Sequence, residues 1–168
     1  MMTTPSASGT WARTRVGAIE AREPYVLRVA TPADVDLLYA IHSMAMRSYV
    51  IATWGNWDDA WQTAYFSDHF PPDRQVIEVG GEAAGFLDLE RRDDCYFVAN
   101  VELSPQHQRH GTGTALLGQV IERAASEGLP VALQVLKVNP ARRLYERLGF
   151  RLTGETDTHF LMRTGDPD

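Results

Sequence analysis

With 168 residues, 44% of them apolar, the chain is long enough to bury a core without disulfides or a structural metal. A net charge of −6 sets it apart from general nucleic-acid binders, which present a basic face. One cysteine, Cys95, excludes an internal disulfide and a cysteine-based zinc cage, and no apolar run approaches the ~20 residues of a membrane span.

Residues 1–22 are rich in Ser, Thr, Gly and Ala and lack a continuous apolar stretch. They read as a loose leader rather than a secretory signal, with a single domain over 23–168 and a cytoplasmic setting. Residues 24–30 alternate as a first strand. Thr31-Pro32 then opens a helix, whose spacing from Val35 to Ala45 predicts a run to about Tyr49. An aromatic stretch over 53–66 predicts a loop and a short helix. Strands follow at 75–79, 84–89 and 96–103, the first two joined by a hairpin at Gly80-Gly81. A helix begins after the glycines near 111 and ends by Gly128 and Pro130. Residues 131–138 form a strand, Asn139 caps a helix stopped by Gly149, and strands at 150–152 and 159–163 close the chain. The order β-α-α-β-β-β-α-β-α-β-β predicts an α/β fold with a mixed sheet and helices on both faces.

The segment VELSPQHQRHGTGTALL, residues 101–117, carries a strand into a glycine loop that opens a helix. Helix N-termini offer unpaired N–H groups and the positive dipole end, and Gly111 and Gly113 let an anion approach the backbone. Arg109 and His110 add positive charge beside it. A Walker A loop needs a Lys after Gly113, and the dinucleotide fingerprint needs a third Gly where Leu116 stands. Neither is met. Gln108, Gly111 and Gly113 fit Gln/Arg-x-x-Gly-x-Gly/Ala. That short pattern also suits a tight strand-to-helix turn with no ligand.

A second segment, LQVLKVNPARRLYERLGF, spans residues 133–150. Asn139, Tyr145, Gly149 and Phe150 stand in the order N-x-x-A-x-x-x-Y-x-x-x-G-F, with the Ala one place early. Together with Val101, Leu103 and Pro105 of the first segment, this resembles the GCN5-related N-acetyltransferases (GNAT family). The resemblance is strong over 95–150 and diffuse before it. It implies a mixed sheet of about seven strands, flanked by about four helices, in which strands 96–103 and 131–138 splay apart. Acetyl-CoA is the cofactor implied, lying in that gap. Its pantetheine arm would pair with the main chain at Val101 and Leu103. Its pyrophosphate would rest on the N–H groups of 108–114, Thr112 and Thr114 included. Asn139 and Arg142 would meet the pantetheine arm. Tyr145 would give the leaving thiolate a proton or hydrogen bond, and a main-chain N–H near Leu103 would stabilise the carbonyl oxygen.

The base is not supplied by the family pattern. Positions where branches of the family carry a Glu hold Phe97 and Gln134 here. Glu102 is the nearest carboxylate, as base or amine anchor, and its side chain alternates away from Val101 and Leu103. The acceptor site is expected in the stretch holding Tyr49, Trp54, Trp57, Asp58, Asp59, Trp61 and Tyr65. Trp54, Trp57 and Asp58 are its candidate substrate contacts, since aromatics with carboxylates suit a cationic amine. Trp54 and Trp61 have a plain reading as core, and the Asp pair as a helix cap. His69, His107 and His159 show no metal-ligand spacing, so no metal is assigned.

These residues favour acetyl transfer to a primary amine of a small molecule or peptide, by direct attack in a ternary complex. Gln134 disfavours protein N-terminal acetylation. A non-catalytic acyl-CoA-binding module and a nucleotide-binding protein remain open as other classes. No nucleic acid or membrane partner is expected. The resemblance leaves room for a homodimer, since this fold often pairs through its later strands and helices.

Overall fold

The computed structural model describes residues 23–165; the expected leader over 1–22 lies outside the described residues. Strand β1 (Tyr25–Val29) leads through a 3-10 turn into helix α1 (Val35–Trp54) and helix α2 (Asp59–Asp68). Strands β2 (Gln75–Val79), β3 (Glu82–Arg91) and β4 (Tyr96–Leu103) follow as an antiparallel meander. Helix α3 (Thr112–Ser126), strand β5 (Val131–Leu136), helix α4 (Arg142–Arg147) and strands β6 (Phe150–Glu155) and β7 (His159–Thr164) complete the chain.

The seven strands form one sheet in the order β1-β2-β3-β4-β5-β7-β6. Only β4 and β5 pair in parallel, and their register covers three residue pairs, Tyr96–Val98 against Val131–Leu133. Beyond Val98 the two strands part. Alternation sorts the sheet's side chains to two faces. Val76 and Phe86 face α1 and α2, in a cluster with Leu38, Ile41 and Phe66. Ile77 and Leu87 belong to the other, larger cluster with Leu116, Leu117 and Val120 of α3 and Tyr145 of α4. Cys95 is buried.

Each end of the chain's first helical segment has a local cause. Thr31 and Asp34 form a capping box in which Asp34 accepts from the Thr31 N–H at 2.7 Å. Arg28 grips Asp34 from β1 with two bonds of 2.9 and 2.8 Å. Burial tends to raise the Asp34 carboxyl, but the Arg28 guanidinium prevails and holds it well below the usual carboxylate range. Helix α1 runs five residues past the expected end at Tyr49 and stops at Gly55, so Trp54 is helical.

Under α2 lies a buried ion pair. Arg74 donates to Asp88 from Nε at 2.8 Å and from Nη2 at 2.7 Å. Phe66, Phe70 and Phe86 surround its guanidinium at 4.6, 4.6 and 4.3 Å. Asn100 adds a third bond to Asp88, at 2.8 Å.

Candidate active site

Three adjoining cavities surround the place where β4 leaves β5. The first is a cleft of about 410 Å³ at the α3 N-terminus. Val101, Glu102, Leu103, Gln108, Arg109, Gly111, Gly113, Thr114, Asn139 and Tyr145 all line it. The second, about 350 Å³, fills the gap between the strands and shares Val101, Glu102, Asn139 and Tyr145 with the first. The third, about 830 Å³, lies beneath α1 and α2 and shares Ala99 and Asn100 with the gap. A β-bulge explains that sharing. Asp88 pairs with Asn100 and Leu89 with Val98, so Ala99 is the extra residue and the strand bends there.

The glycine loop has the geometry of an anion cradle. Gly111 is the N-cap of α3 with φ 81, and Arg109 also has a positive φ, 63. Left-handed residues beside right-handed ones turn successive N–H groups to one side. Gly111 is therefore required by its backbone. Gly113 is not: a β-carbon there would make ordinary contacts with Leu144 and Leu103, at 3.7 and 3.8 Å. Gln108 lines the cleft, and its side-chain amide Nε2 donates to the Leu103 carbonyl at 2.9 Å. That bond ties the loop to the end of β4. Thr112 is buried, and neither it nor His110 is on the cleft wall.

Asn139 uses its Oδ1 to accept from the Ala141 N–H at 2.9 Å, which shapes the turn into α4. Its cap thus acts before the helix proper, whose N-cap is Ala141. Arg142, expected at the pantetheine arm, is turned elsewhere. Its Nε bonds Glu146 at 2.7 Å and its guanidinium lies over Phe160 at 4.2 Å. Arg143 and Arg147, one helical turn apart, line the cleft instead. Helix phase separates them from the 142–146 pair.

Glu102 and Tyr145 meet at the junction. Burial pushes the Tyr145 hydroxyl up to about 12, and the nearby Glu102 charge adds to this. The phenol is therefore protonated at neutral pH. Burial also raises the Glu102 carboxyl above its ordinary value, with a hydrogen bond from His42 pulling the other way. His42 of α1 was not legible as a site residue in the sequence. Its Nδ1 lies 3.0 and 2.9 Å from the two Glu102 oxygens. The face to which Glu102 points is thus the face of α1 and α2, where the large cavity lies.

That cavity gathers most of the aromatic stretch. Trp54, Trp61, Tyr65, Phe66, His42 and Asp58 line it. Trp54 and Trp61 are exposed, at 53% and 57%, so they are not core. Asp58 also caps α2, accepting from the Trp61 N–H at 3.0 Å. Trp57 stands behind the wall. Its Nε1 donates to Asp59 at 2.8 Å and its ring lies 5.8 Å from that of His42. Tyr49 lines the first cleft rather than the aromatic cavity. Among the described residues no His, Cys, Asp and Glu cluster could hold a metal ion, and no helix is long and apolar enough to cross a membrane.

The architecture is shared with known proteins. PaiA N-acetyltransferase from Thermoplasma acidophilum, solved in complex with coenzyme A, superposes with a TM-score of 0.65 at 14% identity, covering 84% of this chain and 98% of that one. An uncharacterized N-acetyltransferase of Methanocaldococcus jannaschii is 28% identical over 144 residues, which are 75% of this chain and 60% of that protein. L-2,4-diaminobutyric acid acetyltransferase of Nocardia farcinica is 40% identical over 63 residues, 36% of this chain and 33% of the relative. The chain thus spans 60% or less of the length of these two curated relatives. Residues 38–150, which contain all but the first turn of α1, both signature segments and the junction between them, match the acetyltransferase (GNAT) family. The chain belongs to that family.

Proposed function

We propose that this protein transfers the acetyl group of acetyl-CoA to a cationic primary amine, on a small molecule or peptide, by direct attack in a ternary complex. The observation that carries this reading is that three adjoining cavities share lining residues around the strand gap. The first has an anion cradle, the first and second share Glu102 and Tyr145, and the third has aromatic and carboxylate walls.

The residues present fit acetyl-CoA. The cradle at Arg109–Thr114 suits a pyrophosphate, with Arg143 and Arg147 nearby in place of Arg142. Past Val98, β4 has no strand partner on its β5 side, so Val101 and Leu103 can pair with a pantetheine arm as with an added strand. The thioester supplies the activated acetyl group. Glu102 is the carboxylate that draws the amine's proton. Tyr145, on the wall of the cleft and the gap, would face the sulfur. A thiol ordinarily ionises near ~8.5, below a phenol at about 12. Tyr145 therefore helps chiefly by hydrogen-bonding the thiolate, with the proton following as the thiol is formed. On the other side, Trp54, Trp61 and Tyr65 offer π-faces to a cation and Asp58 offers charge.

The test is a melting comparison with acetyl-CoA, CoA, ATP and NAD, followed by a CoA-release screen of primary amines. A ligand at 100 times its Kd adds about 2.7 kcal/mol. Stabilisation by the CoA species alone, with amine-dependent CoA release, is the expected result. Stabilisation by ATP or NAD instead would overturn it.

A further inference from the structure

His42 joins the two halves of the site. Its Nδ1 is bonded to Glu102, which lines the cleft and the gap. The ring itself lines the aromatic cavity on the acceptor side. Phe66 stacks against it at 5.3 Å and Trp57 packs at 5.8 Å, so its orientation is fixed. Its side chain is 20% exposed, against 7% for Glu102. A small acceptor in the aromatic cavity therefore meets the imidazole before it meets the carboxylate.

We assign the tautomer from the carboxylate form of Glu102, which can only accept. Both Glu102 oxygens stand at nearly equal distance from Nδ1, as a carboxylate does when it shares one N–H. Nδ1 then carries the ring proton, and the neutral imidazole keeps its lone pair on Nε2. Among the described residues Nε2 has no hydrogen-bond partner. We propose that His42 takes the proton from the acceptor amine at Nε2, with Glu102 acting as a positioning residue that holds Nδ1–H and steadies the imidazolium. This rests on the transfer reading above and deepens it: Glu102 draws the proton through His42 rather than by touching the amine.

The proton and bond changes balance. The acceptor's ammonium loses one proton to Nε2. Its freed lone pair forms the N–C bond to the acetyl carbon while the C–S bond breaks. The nitrogen's second surplus proton passes to the departing thiolate, which the Tyr145 hydroxyl would hold by a hydrogen bond, so CoA leaves as the thiol. His42 returns its proton to water through the mouth of the cavity, so one proton is released per turnover.

Other charged groups around the pair leave this role to His42. Arg74 and Asp88 are bound to each other. Asp58 caps α2, and Asp59 accepts from Trp57 and from Tyr39. Tyr145 lines the cleft and the gap but not the aromatic cavity.

Two variants separate chemistry from scaffolding. His42→Asn keeps an amide donor where Nδ1 stood and deletes Nε2. His42→Ala deletes both and leaves room for imidazole added in solution. Each is assayed for acetyl-CoA binding by melting shift, and for CoA release with 2-phenylethylamine, 1,4-diaminobutane, L-lysine and glycinamide. The expected result is an unchanged acetyl-CoA shift, a loss in kcat/KM of about 100-fold or more for both variants, and partial recovery of His42→Ala by imidazole. The wild-type rise of kcat/KM with pH should change shape in His42→Asn. If His42→Asn turns over like wild type, His42 only props Glu102 and the relay is wrong. If wild type binds acetyl-CoA but releases no CoA with any of these amines, the transfer reading fails and takes the relay with it. The two failures differ in whether the wild type is active.

Discussion

Gly85 of β3 lies so close to Glu102 of β4 that a β-carbon on Gly85 would collide with the Glu102 carbonyl. Gly85 is paired with Leu103 in the register, so the collision is with backbone that cannot swing aside. Gly85 therefore sets where Glu102 stands relative to α1. Gly85→Ala should push β4 away, with a stability loss of about 1–3 kcal/mol. Acetyl-CoA affinity should fall less than turnover, because the cradle lies on the far side of Leu103. Chemical denaturation and steady-state kinetics on one preparation check both parts.

Removing only the Tyr145 hydroxyl should leave the cofactor cleft formed, since the ring packs edge-on against Phe150 at 5.8 Å. Tyr145→Phe should bind acetyl-CoA as wild type does. Its kcat should fall about 10- to 100-fold, the worth of one hydrogen bond to a charged atom. Rapid-quench measurement of the chemical step checks this. An unchanged rate there would remove Tyr145 from the thiolate's departure.

Glu102 works against the fold. Its carboxyl is raised from the ordinary 4.5 by burial. In that pH window the folded chain holds a proton that the unfolded chain has lost. Stability therefore falls as pH rises from the ordinary value through the folded one. Glu102→Gln cannot ionise and escapes this loss. The variant should melt above the wild type at neutral pH, with the gap closing toward about pH 4, while turnover drops about 100-fold or more. Melting curves across that range give the sign directly.

The pair beneath α2 behaves differently, because Arg74 and Asp88 are only 5% and 4% exposed. Deleting one partner strands the other charge among aromatic rings. Asp88→Ala should cost about 3–5 kcal/mol, and replacing both residues by apolar ones of similar size should cost much less. Urea titrations of Asp88→Ala and of the double variant measure the difference.

The order of elements was legible because periodicity and turn residues are local. Both signature segments lie on β4 into α3 and on β5 into α4, as the resemblance implied. The end of α1 was not legible, since Trp54 and its neighbours suggested a loop although Gly55 marked the stop. The phase of α4 decided Arg142: the resemblance places it near the arm, but only the packed helix shows Arg143 and Arg147 on the cleft side. His42 left no mark at all. A single His in Ile41-His42-Ser43-Met44 suits an ordinary amphipathic helix, and its partner is sixty positions away on another element. Glu102 was visible as the nearest carboxylate, but its face could be decided only once α1 was in place.

The seam between β4 and β5 is three register pairs long. On one side lie four strands, on the other three. The molecule is in effect two half-sheets fastened by a short row of stitches at one end, with the other end open. A ligand arm laid along β4 would act as a wedge that is also a splint: it would fill the opening and stiffen the seam together. Amide hydrogen exchange is the natural gauge. With acetyl-CoA present, exchange should slow along 99–103 and 134–136, and scarcely change along β1 at the sheet's outer edge.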